Sequence, residues 1–232
     1  MFPDSPVSFR RRQRAHRRKT ILTTAACAAA SLFTAAAHAA PMGFKDSTMA
    51  MVDLAPNWRE AWANHALTPR DAVGAGALFM RSDDKALTRD LVELNYTRLV
   101  HRWNLPDAQA NVWFFGGIGQ LRGNDFRGSR TAIAPGLQLD YETRRLYLAA
   151  TARLYRASGI NHDYGSVRVG WSFYATEYDE TQPWVVIEAR RMRGLSDELE
   201  LTPMLRFINK QYFAEVGVNQ HRQGRFNLMY IF

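Results

Sequence analysis

Arg225-Phe226-Asn227-Leu228-Met229-Tyr230-Ile231-Phe232 places Phe226, Leu228, Tyr230 and Phe232 at every second position. Successive side chains of a strand point to opposite faces, so a period of two gathers these four on one face. Arg225 and Asn227 fall on the other face. A segment that is apolar and aromatic on one side and polar on the other suits a strand with an apolar medium against one face.

Working back from it, the same pattern recurs in segments of about ten residues separated by short turns, which is the sequence signature of a spanning barrel. The periodicity predicts strands over Ser47–Leu54, Trp58–Leu67, Ala72–Arg81, Arg89–Arg102, Ala110–Leu121 and Ser129–Glu142. It predicts six more over Arg145–Ala157, Tyr164–Tyr174, Pro183–Arg193, Leu199–Phe207, Gln211–Gln220 and Arg225–Phe232. Arg89–Arg102 also fits a helix through Leu87, Leu91 and Leu94, but its neighbours all alternate, which favours a strand. Pro135 interrupts the sixth segment and removes a ladder donor there.

The last strand resembles the terminal assembly signal of Gram-negative outer-membrane β-barrel proteins, with Phe226, Leu228, Tyr230 and Phe232 as the signal residues. That resemblance implies the outer membrane as location and the barrel-assembly machinery and outer-membrane lipid as partners. The fold class expected is all-β, an antiparallel transmembrane β-barrel of about twelve strands with short loops. A soluble sandwich also alternates, but it would leave two edges to protect, and closure removes them. Segments of this length match the ~9–11 residues of a tilted spanning strand better than the ~5–6 of a soluble one. Aromatics near strand ends (Trp58, Trp103, Tyr141, Tyr155, Tyr174, Trp184, Tyr212 and Tyr230) suit interfacial girdles. A cation facing lipid at mid-depth costs ~2–4 kcal/mol. The phase therefore turns Arg153, Arg168, Arg190 and Arg206 to the lumen, with Glu93, Asp140, Glu188, Glu200 and Glu215. These nine are the candidates for lining a passage and setting its selectivity.

The first residues have a different character. Arg10, Arg11, Arg12, Arg14, Arg17, Arg18 and Lys19 precede an Ala-rich apolar stretch from Ile21 to Ala37, and Ala37-His38-Ala39 is a small-x-small cleavage site. The pattern predicts a cleaved signal peptide over 1–39 and the barrel over 40–232. The apolar stretch is short of the ~20 residues a spanning helix needs. Pairs such as Arg17-Arg18 arise by chance in so basic a run, and Cys27 lacks the surroundings of a lipoprotein box. Of 30 basic and 22 acidic side chains, seven and one lie in residues 1–40, leaving 23 against 21. The net charge falls from +8 to +2, so the basic balance belongs to the leader and gives no ground for nucleic-acid binding. Without Cys27, residues 40–232 have no cysteine for a disulfide or a thiolate site.

Three functions follow from such a barrel. A small-solute channel would take its selectivity from the lumen Arg and Glu residues; the alternative is that these pair across the lumen and seal it, leaving a structural barrel. A lipid hydrolase resembles the chain in strand count alone. Its nearest candidates are His162, Asp163 and Ser166, and no catalytic residue is expected. Copper handling would draw on Met49, Met51, Met80, Met204 and Met229, but Met more often fills gaps in a core. His65, His101, His162 and His221 have no ligand spacing, so neither a metal site nor a cofactor is expected.

Overall fold

The computed structural model describes residues 40–177 and 179–232. The expected leader, the expected cleavage residues Ala37 and Ala39, and Cys27 lie outside the described residues. The strands in chain order are β1 (Thr48–Ala55), β2 (Trp58–Ala66), β3 (Asp71–Arg81), β4 (Thr88–Asn104), β5 (Ala108–Gly123), β6 (Arg130–Ile133) and β7 (Gly136–Thr143). They continue with β8 (Leu146–Ala157), β9 (Ile160–Ser172), β10 (Gln182–Met192), β11 (Ser196–Asn209), β12 (Tyr212–Val218) and β13 (Gly224–Ile231).

Each strand pairs antiparallel with its neighbours, and β1 pairs with β13, Val52 opposite Leu228, so the sheet closes. β6 and β7 lie end to end between β5 and β8 and make one wall strand. The break falls at Ala134-Pro135, where proline has no donor to give. The backbone there stays satisfied: Ala134 N–H donates to Gly117 O at 2.8 Å, and Pro135 O accepts from Leu154 N–H at 2.8 Å. The wall is thus a closed barrel of twelve strands.

The strands are staggered. One hydrogen-bonded row runs Met192, Tyr164, Arg153, Gly136, Phe115, Thr97, Ala72, from the far end of β10 to the near end of β3. That slant is the shear a tilted barrel requires. It brings residues distant in sequence to one height in the interior.

The two faces differ as the alternation predicts. Val52, Val73, Leu94, Ile118, Leu139, Val169, Ile187, Leu205, Val216 and Leu228 stand exposed on the outside, one to a strand. A continuous apolar belt around a closed wall far exceeds the ~300–600 Å² patch of a soluble monomer. It is the surface of a transmembrane β-barrel. Outward charges collect near strand ends, as with Arg59, Asp90, Arg122 and Arg191. The outward Arg98 is bound at 2.9 Å to Asp71, the first residue of β3. Phe226, Leu228 and Phe232 are exposed on the outer face, Tyr230 is partly so, and Arg225 and Asn227 are buried inside.

The aromatic girdles need correction. Trp103, Tyr174 and Tyr212 are outside, but Trp58, Tyr155 and Trp184 are buried within the barrel. Their phase is that of the polar face: Tyr155 alternates with Arg153, and Trp184 is four residues from Glu188. A ring near a strand end can close the mouth of a barrel as well as face the membrane interface. The outer aromatics gather instead at the end where β1 begins and β13 ends, in contacts such as Tyr212–Tyr230 (4.6 Å) and Trp171–Phe173 (4.7 Å).

Candidate functional site

The inward positions of β8 to β13 carry Arg153, Arg168, Arg190, Arg206 and Arg225, accompanied by Glu188, Glu200 and Glu215. β1, next to β13 in the ring, presents Asp53, and β2 and β4, farther round the wall, present Glu60 and Glu93. Most of these groups form one branching network. Arg206 Nε donates to Glu215 Oε1 at 2.8 Å, and Glu215 Oε2 lies 3.3 Å from Arg168 Nη1. Arg168 Nε donates to Glu188 Oε2 at 2.5 Å. The other oxygen of Glu188 is 2.8 Å from Arg225 Nη1, and Arg225 closes on Asp53 at 2.6 and 3.1 Å. Arg190 pairs separately with Glu200 at 3.1 Å.

Some links join neighbouring strands and others are chords. Glu188 is opposite Arg168 in the β9–β10 register, whereas Glu215 and Arg168 are three strands apart. Arg153 of β8 reaches Glu93 of β4 at 2.5 Å and approaches Glu60 of β2, almost across the barrel, at 3.8 Å. Arg206 and Glu215 are each only 1% exposed, and Arg206 lies over the rings of Tyr147 (4.4 Å) and Phe213 (4.9 Å). Charges this deep are tolerable only when paired and hydrogen-bonded, and losing one partner costs ~3–5 kcal/mol.

Of the nine expected lumen residues, eight enter these pairs. Asp140 stands apart, accepting from Asn111 Nδ2 (2.6 Å), Trp113 Nε1 (2.8 Å) and Gln138 Nε2 (3.2 Å). Asp53, Glu60 and Arg225 join the network without having been among the candidates. Asp53 could have been found from its phase, two residues beyond Met51 on the face of Met49. Glu60 could not, because the outward side of β2 is Arg59, Ala61, Ala63 and His65, which gives no apolar face to fix the phase.

The network lies between two closures. At the end away from β1's first residue, Trp58 of β2 meets Tyr164 of β9 at 5.0 Å and Tyr155 at 6.3 Å. β2 and β9 are opposite each other in the ring, so this contact spans the lumen. Above it, Leu78, Leu91, Leu121, Ile160 and Leu195 pack into the same apolar cluster. The connection after β3 crosses that mouth: Asp83 N–H donates to Leu195 O at 3.1 Å, and Ser196 Oγ donates to the Asp83 carboxylate at 2.7 Å. At the other end, Met42 packs with Ala66, Ala72, Leu99 and Trp113, while Pro41 O accepts from Asn64 Nδ2 at 3.1 Å. Between them lies a cavity of about 210 Å³, edged by Ala40 and Pro41, by the Trp58–Tyr155–Tyr164 group, and by the charges Asp53, Glu60, Glu93, Arg153, Arg168 and Arg225.

His162, Asp163 and Ser166 sit within β9 and do not converge as a triad does. His162 points inward with Nδ1 3.1 Å from Arg193 O, while Asp163, on the alternate phase, is paired with Arg156 and with Arg193 at 2.6 Å. The inward methionines are core: Met49, Met204 and Met229 pack with Trp184, Val186 and Phe213, and Met80 joins the apolar cap.

No protein-family model matches the chain, and no curated protein matches it. Among solved structures it is similar to the KdgM porin in complex with disordered oligogalacturonate, at 12% identity and TM-score 0.48, over 80% of this chain and 98% of the porin. It is also similar to a loop L8 deletion mutant of OmpT, an outer-membrane protein of Vibrio cholerae (9%, TM-score 0.33, 80% and 97%). CdiB from Acinetobacter baumannii is a third neighbour (9%, TM-score 0.33, 82% and 61%). The likeness is one of architecture.

Proposed function

We propose that this protein is a bacterial outer-membrane channel for small solutes, with a constriction formed by the charged interior. The observation that carries this reading is the placement of Glu60 and Glu93, on β2 and β4, facing Arg153 and Arg168, on β8 and β9, around one cavity. Charges of opposite sign facing each other across a hydrated passage hold a transverse field, which sorts solutes by charge and dipole. In this reading residues 1–39 direct export and are removed. The barrel-assembly machinery then inserts the barrel into outer-membrane lipid by way of Phe226, Leu228, Tyr230 and Phe232. Passage requires the Trp58–Tyr164 contact to part, so the conducting state is gated at that end.

A sealed structural barrel is the second reading, favoured by that same contact across the lumen. Purified protein in a planar bilayer separates the two. The channel gives discrete conductance steps that become larger or more frequent in Trp58→Ala. Silence of both proteins, with normal heat-modifiable migration, would establish the sealed barrel.

A further inference from the structure

The outer face of β8, β9 and β10 carries a charge cluster that a passage through the lumen does not use. Asp163 of β9 is paired on one side with Arg156 of β8 and on the other with Arg193, whose Nη2 lies 2.6 Å away. The backbone supports the second pair, since Arg193 N–H donates to Asp163 O at 2.9 Å. Arg191 stands beside them, exposed on the same outer face and without an ion-pair partner among the described residues. Asp197, at the start of β11, accepts from Gly194 N–H at 3.0 Å. Three guanidinium groups against these two carboxylates leave the patch with an excess of positive charge.

Next to the arginines the wall carries small side chains. In the strand register Gly165 is between Arg191 of β10 and Ala152 of β8, and the next outward row is Ala150, Val167 and Ala189. A Cβ on Gly165 would meet nothing within 4 Å. Leu148, Leu154, Val169 and Ile187 stand exposed around these small residues. A shallow trough therefore runs from the charged patch into the apolar belt. Ile187 is four residues from Arg191 along β10, ~13 Å at the rise of a strand. Arginines facing lipid are costly at mid-depth and nearly free of cost at the interface, so the patch is placed at headgroup level. The other rim is built differently: its outer side chains include Trp171, Phe173, Tyr212 and Tyr230, and its Arg98 is held by Asp71.

We propose that Arg156, Arg191 and Arg193 form a binding site for the phosphate of an anionic membrane lipid, with one acyl chain lying along Gly165, Ala152 and Ala150. The planar fork of an arginine matches phosphate oxygens in pairs. Arg191 offers its whole fork, and Arg193 remains exposed beyond its bond to Asp163. Asp163 holds Arg156 and Arg193 in place on either side of β9. A soluble phosphate would gain the charge but leave the trough empty, which is the ground for assigning a lipid. The inference needs the wall to face a bilayer and is indifferent to conduction.

Lipid titration of the purified barrel in detergent micelles, followed by native mass spectrometry, tests it. Phosphatidic acid is the probe, and phosphatidylcholine with the same acyl chains is the control without net charge. The site predicts saturable retention of one phosphatidic acid, with phosphatidylcholine at least about tenfold weaker, the ratio expected when a hydrogen bond between charged groups is lost. The double variant Arg191→Gln/Arg193→Gln abolishes the preference. Gly165→Leu weakens binding without changing charge, by filling the trough. Arg122→Gln, which removes an exposed outward arginine of β5 outside the patch, leaves binding unchanged. Heat-modifiable migration confirms the fold of each variant. Equal retention of the two lipids by the wild type, or no saturable binding, would overturn the site without needing any variant. Displacement of the lipid by inorganic phosphate at the same concentration would overturn the lipid assignment, and an equal loss in Arg122→Gln would reduce the site to general charge attraction.

Discussion

The two arcs of the interior wall are built on different terms. From β9 to β13 every inward arginine has a carboxylate of its own arc within 3.3 Å, and Glu188 and Glu215 each serve more than one guanidinium. From β1 to β5 the inward face alternates amides and carboxylates with Gly74, Gly76, Gly117 and Gly119, and several acceptors have no partner. The first arc is an ion-paired scaffold, in which Arg190 Nη1, Arg206 Nη2 and Asn227 Oδ1 still have no hydrogen-bond partner, and the second is sparser in charge and richer in glycine. Polar residues inside this barrel are therefore not one class: on one arc arginines and carboxylates pair with each other, and on the other amides and carboxylates stand among glycines.

The largest effect expected from breaking this division is at Glu188. Glu188→Gln removes the charge that two buried arginines share, and should lower unfolding stability by ~3 kcal/mol, the low end for a broken buried pair because each arginine keeps another partner. Glu93→Gln on the other arc should cost less than half as much, since Glu93 serves one guanidinium and Arg153 keeps Glu60 at 3.8 Å. Urea unfolding in lipid measures both. Equal losses would erase the distinction between the arcs.

Next in size is Gly117→Val. A Cβ there would overlap the Glu93 carboxylate and lie 3.0 Å from both Arg153 Nη2 and Ala134 Cβ. Overpacking of this kind costs ~1–3 kcal/mol, and it should also reduce conductance by pushing Arg153 into the cavity. Gly165→Ala, where a Cβ meets nothing within 4 Å, is the control and should change stability by under ~0.5 kcal/mol.

What the sequence made legible follows from the period of two. Arg168 and Arg206 alternate with Val167, Val169, Leu205 and Phe207, so their side of the wall could be assigned before any fold was known. Wherever one phase is plainly apolar, the other is the lumen. At β2 the outward residues are small or polar, so the alternation does not assign Glu60 to a face. At Trp58, Tyr155 and Trp184 position near a strand end points to a girdle, whereas the phase of Tyr155 and Trp184 points inside, and the phase decides. Partnerships across the lumen lie beyond reach for another reason. Arg153 meets Glu93 sixty positions away because of the barrel's stagger, a property of the closed ring that no single segment carries.

The smallest expected effect concerns neither arc but the connection that crosses the mouth above them. Asp84, in that connection, accepts from Ser82 Oγ at 2.5 Å and from Ala86 N–H at 2.9 Å, and these bonds, the hydroxyl first, hold its carboxyl below the usual carboxylate range. A depressed folded-state pKa stabilises the fold above the unfolded pKa of ~3.9, and that contribution is lost as pH falls through the lower folded value. Asp84→Asn should thus leave stability at neutral pH slightly reduced and remove a small part of the acid sensitivity below about pH 4. A denaturation series against pH reads it, and an unchanged acid limb would place the sensitivity elsewhere.

The division between the arcs is tested most directly by cysteine labelling. Cys27 is the chain's one cysteine, so single cysteines can be placed in a Cys27→Ala background. Asn95→Cys sits on the glycine-rich arc and Thr202→Cys in the row of Glu188 and Arg168 on the ion-paired one. In the membrane-inserted barrel, aminoethyl methanethiosulfonate, a cation, should modify Asn95→Cys readily and faster than the anionic sulfonatoethyl reagent does, while Thr202→Cys stays protected from both. Protection of Asn95→Cys, or equal reaction at the two positions, would contradict the account.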